Sequence, residues 1–164
     1  MTSHNYIIHG AGGIGCVIAA RLASAGKQVQ LIARGAHLQA LQTRGLTLVQ
    51  NTVGTWDLPA EETADRLEID QNTVVLLAMK TDDTFDAVSE HSSLYCDLPL
   101  VCCQNGVTNE EWLSSNGYST YGCTVMVGAG IVEPGTVRHS GGTLLEIGSW
   151  PCLLYTSPSP RDPL

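Results

Sequence analysis

YIIHGAGGIGCVIAARLASAGKQVQLIAR, from Tyr6 to Arg34, reads as a strand, a glycine-rich turn, a helix, a second strand and a closing arginine. Gly10, Gly12 and Gly15 fit G-x-G-x-x-G directly after the apolar run Tyr6-Ile7-Ile8. Each glycine has its own physical reason. Gly10 permits a tight turn, Gly12 lets a pyrophosphate approach the backbone, and Gly15 lets helix and strand pack closely. The whole turn, Gly10, Ala11, Gly12, Gly13, Ile14 and Gly15, is therefore a candidate dinucleotide cradle. The helix N-terminus adds free N–H groups and a positive dipole end. Glycine turns are common, so the flanks matter. Ile14, Val17, Ile18, Ala20 and Leu22 recur at helical spacing, and Gly26 sits where a helix C-terminal glycine belongs. Val29, Leu31 and Ile32 then make a short buried strand. The alternative is an ordinary strand-helix-strand unit with a glycine turn.

Arg34 bears on the cofactor. An NAD site places Asp or Glu at the end of the second strand, about 20 residues after the glycines, for the ribose 2′-OH. Ala33 and Arg34 occupy that place instead. The planar guanidinium suits a phosphate, which favours NADP(H). The alternative is a solvated surface arginine.

Composition narrows the class. At 164 residues, the chain has the length of one ordinary domain. Charged residues make up 15% and hydrophobic ones 43%, a globular balance. The net charge of −8 argues against nucleic acid and against an anionic membrane surface. A small-molecule partner is expected; the sequence says nothing of oligomeric state. The cysteines form no C-x-x-C pair and no zinc-type spacing. Most lie in apolar segments and read as buried free thiols. A reducing, cytoplasmic compartment is expected. MTSHN runs straight into a strand without signal or transit character, and no apolar stretch spans a membrane.

Beyond Arg34, AHLQALQTR reads as a helix ending before Gly45. Leu46–Val49 reads as a strand, with a turn at Asn51–Gly54 and a return strand at Thr55–Leu58. Glu61–Gln71 reads as surface loop with some helix. TVVLLAM, Thr73–Met79, is a continuous apolar run suited to a parallel strand buried on both faces. Lys80 ends it, and Thr81-Asp82-Asp83 starts a helix. Pro99–Cys103 is another buried strand, stopped by Gln104-Asn105-Gly106, and Asn109–Ser115 a short helix. Thr120–Val127 and Thr136–His139 read as strands around the turn Glu133-Pro134-Gly135, and Thr143–Ile147 as a last strand. The expected fold is α/β: a doubly wound, mostly parallel Rossmann-type sheet with antiparallel edge strands. Ligands of such sheets bind beyond the carboxyl ends of the strands. Gly10, Arg34, Lys80 and Asn105 all fall at such ends. Taken singly, Lys80 is also readable as a solvated lysine and Asn105 as a turn asparagine.

The ordered set of motifs resembles the ketopantoate reductase family from about Asn5 to Gly148. It comprises GAGGIG at Gly10–Gly15, LIAR ending at Arg34, GLTLV at Gly45–Val49, AMKT around Lys80, QNG at Gln104–Gly106 and EPGTVRHSG at Glu133–Gly141. The resemblance implies NADPH-dependent reduction of a 2-oxo acid, 2-dehydropantoate in the named members, which serves pantothenate and coenzyme A synthesis. It implies that Gly10–Gly15 hold the pyrophosphate and Arg34 the 2′-phosphate. It places Lys80 along the cofactor near the nicotinamide half and Asn105 near nicotinamide and substrate. It also implies a second, helical domain that supplies a proton-donor lysine. That domain is absent here, and no lysine follows Lys80.

The end of the chain departs from the family. Pro151–Leu164 reads PCLLYTSPSPRDPL, where Pro158, Pro160 and Pro163 oppose regular structure. One reading is a proline-rich linker. The other is that CLLYTSPSPRD, from Cys152 to Asp162, looks like a translated transposon-type sequencing adapter, to be excluded from fold reasoning. The expected plan is an NADP-binding domain over 1–150 and a non-native or disordered tail over 151–164. A fragment of a ketopantoate-type reductase leads. A reductase of another 2-oxo or imino acid and a non-catalytic NADP-binding or redox-sensing module stay open beside it.

Overall fold

The structure is a computed structural model in which residues 4–151 are described. Of the proline-rich tail all but Pro151 lies outside the described residues, and the expectation made for it lies there too.

The centre of the sheet is built from strands that are apolar on both sides. β1 (Asn5–His9) pairs in parallel with β2 (Gln28–Ile32) and, on its other edge, with a strand further along the chain, β6 (Thr73–Leu77). The helix α1 (Gly13–Ser24) connects β1 to β2. Ile7 and Ile8 are adjacent and both are fully buried. This is the mark of a strand covered on both faces. Ile8 joins Cys16, Val17 and Ile18 of α1 on one face. Ile7 faces the other layer with Val75 and Leu77. That layer holds Val88 of α3 (Thr81–Glu90), Tyr95 of α4 (Ser92–Tyr95) and Leu113 of α5 (Thr108–Ser115). Helices on both faces make the sheet doubly wound, as expected.

The remaining strands complete a nine-stranded sheet. β7 (Leu100–Cys102) adds in parallel to β6, and β8 (Thr120–Glu133) in parallel to β7. The short β5 (Ala60–Glu61) extends the far edge in parallel beside β2. The antiparallel part lies beyond β8, where β9 (Thr136–Ser149) returns as a long hairpin. β3 (Leu46–Val49) follows the helix α2 (Gly35–Arg44) and pairs with the start of β9. β4 (Val53–Trp56) closes that edge antiparallel to β3.

The structure redraws several boundaries. The return strand begins at Val53 rather than Thr55, because the turn is tight: Gln50 N–H bonds the Thr52 carbonyl at 3.0 Å. The polar stretch after Pro59 contributes the two-residue β5 and a 3₁₀ turn at Ala64–Arg66. Thr136–His139 and Thr143–Ile147 are one continuous strand, and β8 runs on to Glu133. The glycines between the two expected strands mark a bulge, not a break. The register shifts between Met126 and Ala129, opposite Gly142, whose φ is +75°. The far part of this hairpin packs Val125, Val127, Ala129 and Leu145 against the α1 layer. Cys16, Cys102, Cys103 and Cys123 are buried free thiols, whereas Cys96 is exposed. Burial pushes Cys16 and Cys102 up to about 12. These two are therefore protonated apolar fillers, not nucleophiles.

Candidate functional site

The carboxyl ends of β1, β2, β6 and β7 lie side by side, and the residues that follow them enclose two adjoining cavities. The first, of about 370 Å³, is lined by Gly10, Ala11, Gly12, Arg34 and Lys80. The second, of about 360 Å³, is lined by Ile14, Lys80, Gln104 and Asn105. Ala78, Met79 and Lys80 border both. Parallel pairing is what aligns these ends, since β1, β6 and β7 run in register from His9↔Leu77 to Leu77↔Cys102. The structure thus gathers most of the residues singled out in the sequence along one groove.

Gly13 and Gly15 line neither cavity, and their neighbours say why they are small. A side chain on Gly15 would meet the Gly10 carbonyl oxygen and the Ile8 side chain. The first turn of α1 therefore rests directly on β1. A side chain on Gly13 would lie 2.8 Å from the Ala129 carbonyl oxygen, where β8 crosses the turn. Gly10 adopts φ +102° and backs onto the Met79 main chain. Gly12 differs from all three, because a Cβ there meets nothing within 4 Å. No protein atom requires a glycine at position 12, and the space above it belongs to the cavity.

Two of the helix ends at the groove, those of α1 and α2, are electrostatically bare. The first intrahelical bond of α1 runs from Cys16 N–H to the Gly12 carbonyl at 2.9 Å, which leaves the Gly13, Ile14 and Gly15 amides without an intrahelical partner. Neither α1 nor α2 has a side-chain cap or an acidic residue in its first turn. α3 also begins at the groove, with its N-cap Lys80 and first-turn Asp83 on the wall of the first cavity, but its end is compensated. α3 carries Asp82 and Asp83 in its first turn, and α5 carries Glu110 and Glu111. Arg34 stands at the N-cap of α2, exposed, and its guanidinium has no hydrogen-bond or ion-pair partner among the described residues. Two positive helix ends and an unpaired guanidinium thus surround the first cavity.

Sequence reasoning missed four contributors. His9, His37 and Asp83 line the first cavity, and Ile131 reaches it from the hairpin. A polar residue closing an apolar strand was a visible signal for His9. The others had none, because their proximity depends on packing. His37 Nδ1 accepts the Gly135 N–H at 3.1 Å, tying the hairpin turn to α2. Arg44 reinforces that tie by donating to the Pro134 carbonyl at 2.9 Å. In the second cavity Gln104 donates to Thr84 Oγ1 at 2.9 Å, and its own Oε1 is buried without a partner. Among the described residues no group of three or more His, Cys, Asp or Glu could hold a metal ion. No helix among them is long and apolar enough to cross a membrane.

Burial holds two of these rings neutral. His9 is pushed down to about 3, first by burial and then by the nearby His91 and Arg34. His37 is lowered by burial, partly offset by its hydrogen bond to the Ala11 backbone. Both rings bind a proton more weakly in the folded chain than in the unfolded one, so acid favours unfolding. The His9 contribution is present above the unfolded value of about 6.5 and is lost as pH falls toward about 3. The melting temperature should therefore drop across this window, and His9→Leu should flatten the drop. Identical pH profiles for parent and variant would contradict a buried neutral His9.

Comparison with known proteins agrees with this fold. The family described as ketopantoate reductase PanE/ApbA matches residues 6–151. The 2-dehydropantoate 2-reductase of Pyrococcus horikoshii is 32% identical over 152 residues, covering 89% of this chain and 47% of the relative. That of Mesorhizobium japonicum is 28% identical, covering 86% of this chain and 50% of the relative. The crystal structure of a PanE/ApbA family ketopantoate reductase from Ralstonia eutropha superposes with a TM-score of 0.79 at 32% identity, covering 87% of this chain and 48% of that one. D-mandelate dehydrogenase, solved with NADH and anilino(oxo)acetate, superposes with a TM-score of 0.75 at 25% identity, covering 87% and 47%. The chain spans about half the length of the curated relatives it matches. The motifs, the fold and the matched span together establish that this chain belongs to the ketopantoate reductase family.

Proposed function

We propose that this chain is the NADP(H)-binding part of a cytoplasmic reductase that converts 2-dehydropantoate to pantoate. Residues 1–150 form the cofactor domain in this reading, and a helical half supplies the proton donor. The pair of bare helix N-termini around one cavity carries the reading. A dinucleotide with a 2′-phosphate has two phosphate sites, and the groove offers two matching positive ends. Gly10 to Gly15 hold the pyrophosphate at the α1 end. Arg34 and the α2 end hold the 2′-phosphate. Lys80, bordering both cavities, lies along the cofactor toward its nicotinamide half. Asn105, in the second cavity, orients the nicotinamide and the carbonyl of the 2-oxo acid. The bound cofactor supplies the hydride.

Arg34→Asp tests the assignment. Each charge-assisted hydrogen bond lost contributes about 1.5–3 kcal/mol. The ratio of NADPH to NADH affinity should therefore fall by about tenfold or more, read by fluorescence titration. Equal binding of the two cofactors by the parent chain would remove Arg34 from this role.

A second reading is reduction of a different 2-oxo acid, favoured by the structural likeness to D-mandelate dehydrogenase, a protein solved with NADH and an anilino(oxo)acetate. A panel of 2-oxo acids offered to the full-length enzyme separates the two readings, since each places a different acid at the highest kcat/KM.

A further inference from the structure

The last residue of β1 is a histidine that follows the apolar run Tyr6-Ile7-Ile8. His9 is only 4% exposed, yet it lines the first cavity beside Gly10 and Arg34. Burying an imidazole costs free energy unless its nitrogens find partners. One nitrogen has a partner in the protein: His9 Nδ1 lies 3.0 Å from the Tyr95 hydroxyl. The ring is held further by His91 and Tyr95, whose centroids stand 5.8 Å and 5.9 Å away.

The direction of that bond follows from what surrounds it. Tyr95 is fully buried, and burial raises its phenol far above the ordinary value, so the hydroxyl keeps its proton. A buried O–H needs an acceptor, and among the described residues its hydrogen-bond partner is His9 Nδ1. Tyr95 therefore donates and Nδ1 accepts. A neutral imidazole that accepts at Nδ1 carries its proton at Nε2. Burial, with His91 and Arg34 nearby, keeps the ring neutral. No described residue hydrogen-bonds this Nε2–H, which leaves a fixed donor on a ring that walls the cavity.

We propose that His9 is a binding residue for the adenosine half of the dinucleotide, donating its Nε2–H to an acceptor on the ribose or the adenine ring. Tyr95 is the positioning residue that sets the tautomer. The inference rests on the cofactor reading above, which places the adenosine half in the first cavity.

The probe is 2′-phospho-ADP-ribose, which carries the adenosine half and lacks nicotinamide. Calorimetric titration of the 164-residue chain with this probe should show His9→Leu weakened by about five- to tenfold, the loss of one hydrogen bond. Tyr95→Phe should weaken it less, because His9 keeps its place and loses only its fixed tautomer. Long-range ¹H–¹⁵N NMR of the parent chain supplies a readout that needs no variant to fold. His9 should appear as the Nε2–H tautomer, and its Nε2 resonance should move when the probe is added. In Tyr95→Phe the tautomers should mix. An Nδ1–H tautomer in the parent, an Nε2 resonance indifferent to the probe, or a folded His9→Leu chain with parent affinity would each overturn the role of His9 while leaving the cofactor reading intact. A parent chain that binds neither NADPH nor the probe would overturn the cofactor reading and this inference with it.

Discussion

Gly12→Val is expected to remove dinucleotide binding from a chain that still folds. The backbone at Gly12 is extended, with φ −79° and ψ −166°, a conformation open to any residue. A Cβ there meets nothing within 4 Å, so a side chain at this position starts in open space. The replacement costs stability only through the N-cap preference, about 1 kcal/mol or less. For a chain of this size that moves the melting temperature by about 2–4 °C. The branched side chain instead occupies cavity space at the start of α1, where the proposed pyrophosphate site lies. Losing two or more charge-assisted hydrogen bonds at about 1.5–3 kcal/mol each lowers NADPH affinity by about a hundredfold or more. Gly15→Val supplies the contrast. Its side chain has nowhere to go between Gly10 and Ile8, so it should lower the melting temperature sharply. Normal NADPH titration of folded Gly12→Val would refute the cradle. So would a thermal loss in Gly12→Val as large as that in Gly15→Val.

The 164-residue chain by itself should show no ketopantoate-dependent oxidation of NADPH, even where it binds the cofactor. In the proposed reading Asn105 orients the substrate in the second cavity, but protonating the forming alkoxide needs a positioned acid. Such an acid contributes about 10²–10⁴-fold. No lysine follows Lys80 to provide it. In the proposed reading the residues that close over the substrate also come from the other half, so near-attack geometry is not enforced. The curated relatives run to about twice the matched span, and in the proposed reading their remaining half supplies both functions. Joining such a half in cis should restore turnover, and replacing its lysine should remove it again. Steady oxidation by the purified 164-residue chain would show that the acid is already present.

Much of this architecture was legible in local chemistry. The glycine turn, the amphipathic spacing of α1, and the apolar runs that became β1, β6 and β7 are short-range signals. They announced a doubly wound sheet and the edge along which Gly10, Arg34, Lys80 and Asn105 would lie. Boundaries were less legible. Ser140-Gly141-Gly142 looked like a break because glycine weakens a strand, yet the pairing with β8 carries β9 across it through a bulge. Neighbouring strands had to be in place before that choice could be made.

By itself the sequence determined the glycine-rich turn between strand and helix, the arginine at the end of the second strand, the buried parallel core and the absence of any lysine after Lys80. These follow from the backbone freedom of glycine, from the periodicity of apolar residues and from simple inventory. Only the tertiary structure decided what stands beside what. It divided the glycines, with Gly12 open to the cavity, Gly13 pressed by β8 and Gly15 pressed onto β1. It joined His9 to Tyr95, 86 positions apart, and His37 to Gly135, 98 positions apart. Contacts at such separations are set by crossover connections and by close packing of layers, which no local pattern of residues encodes.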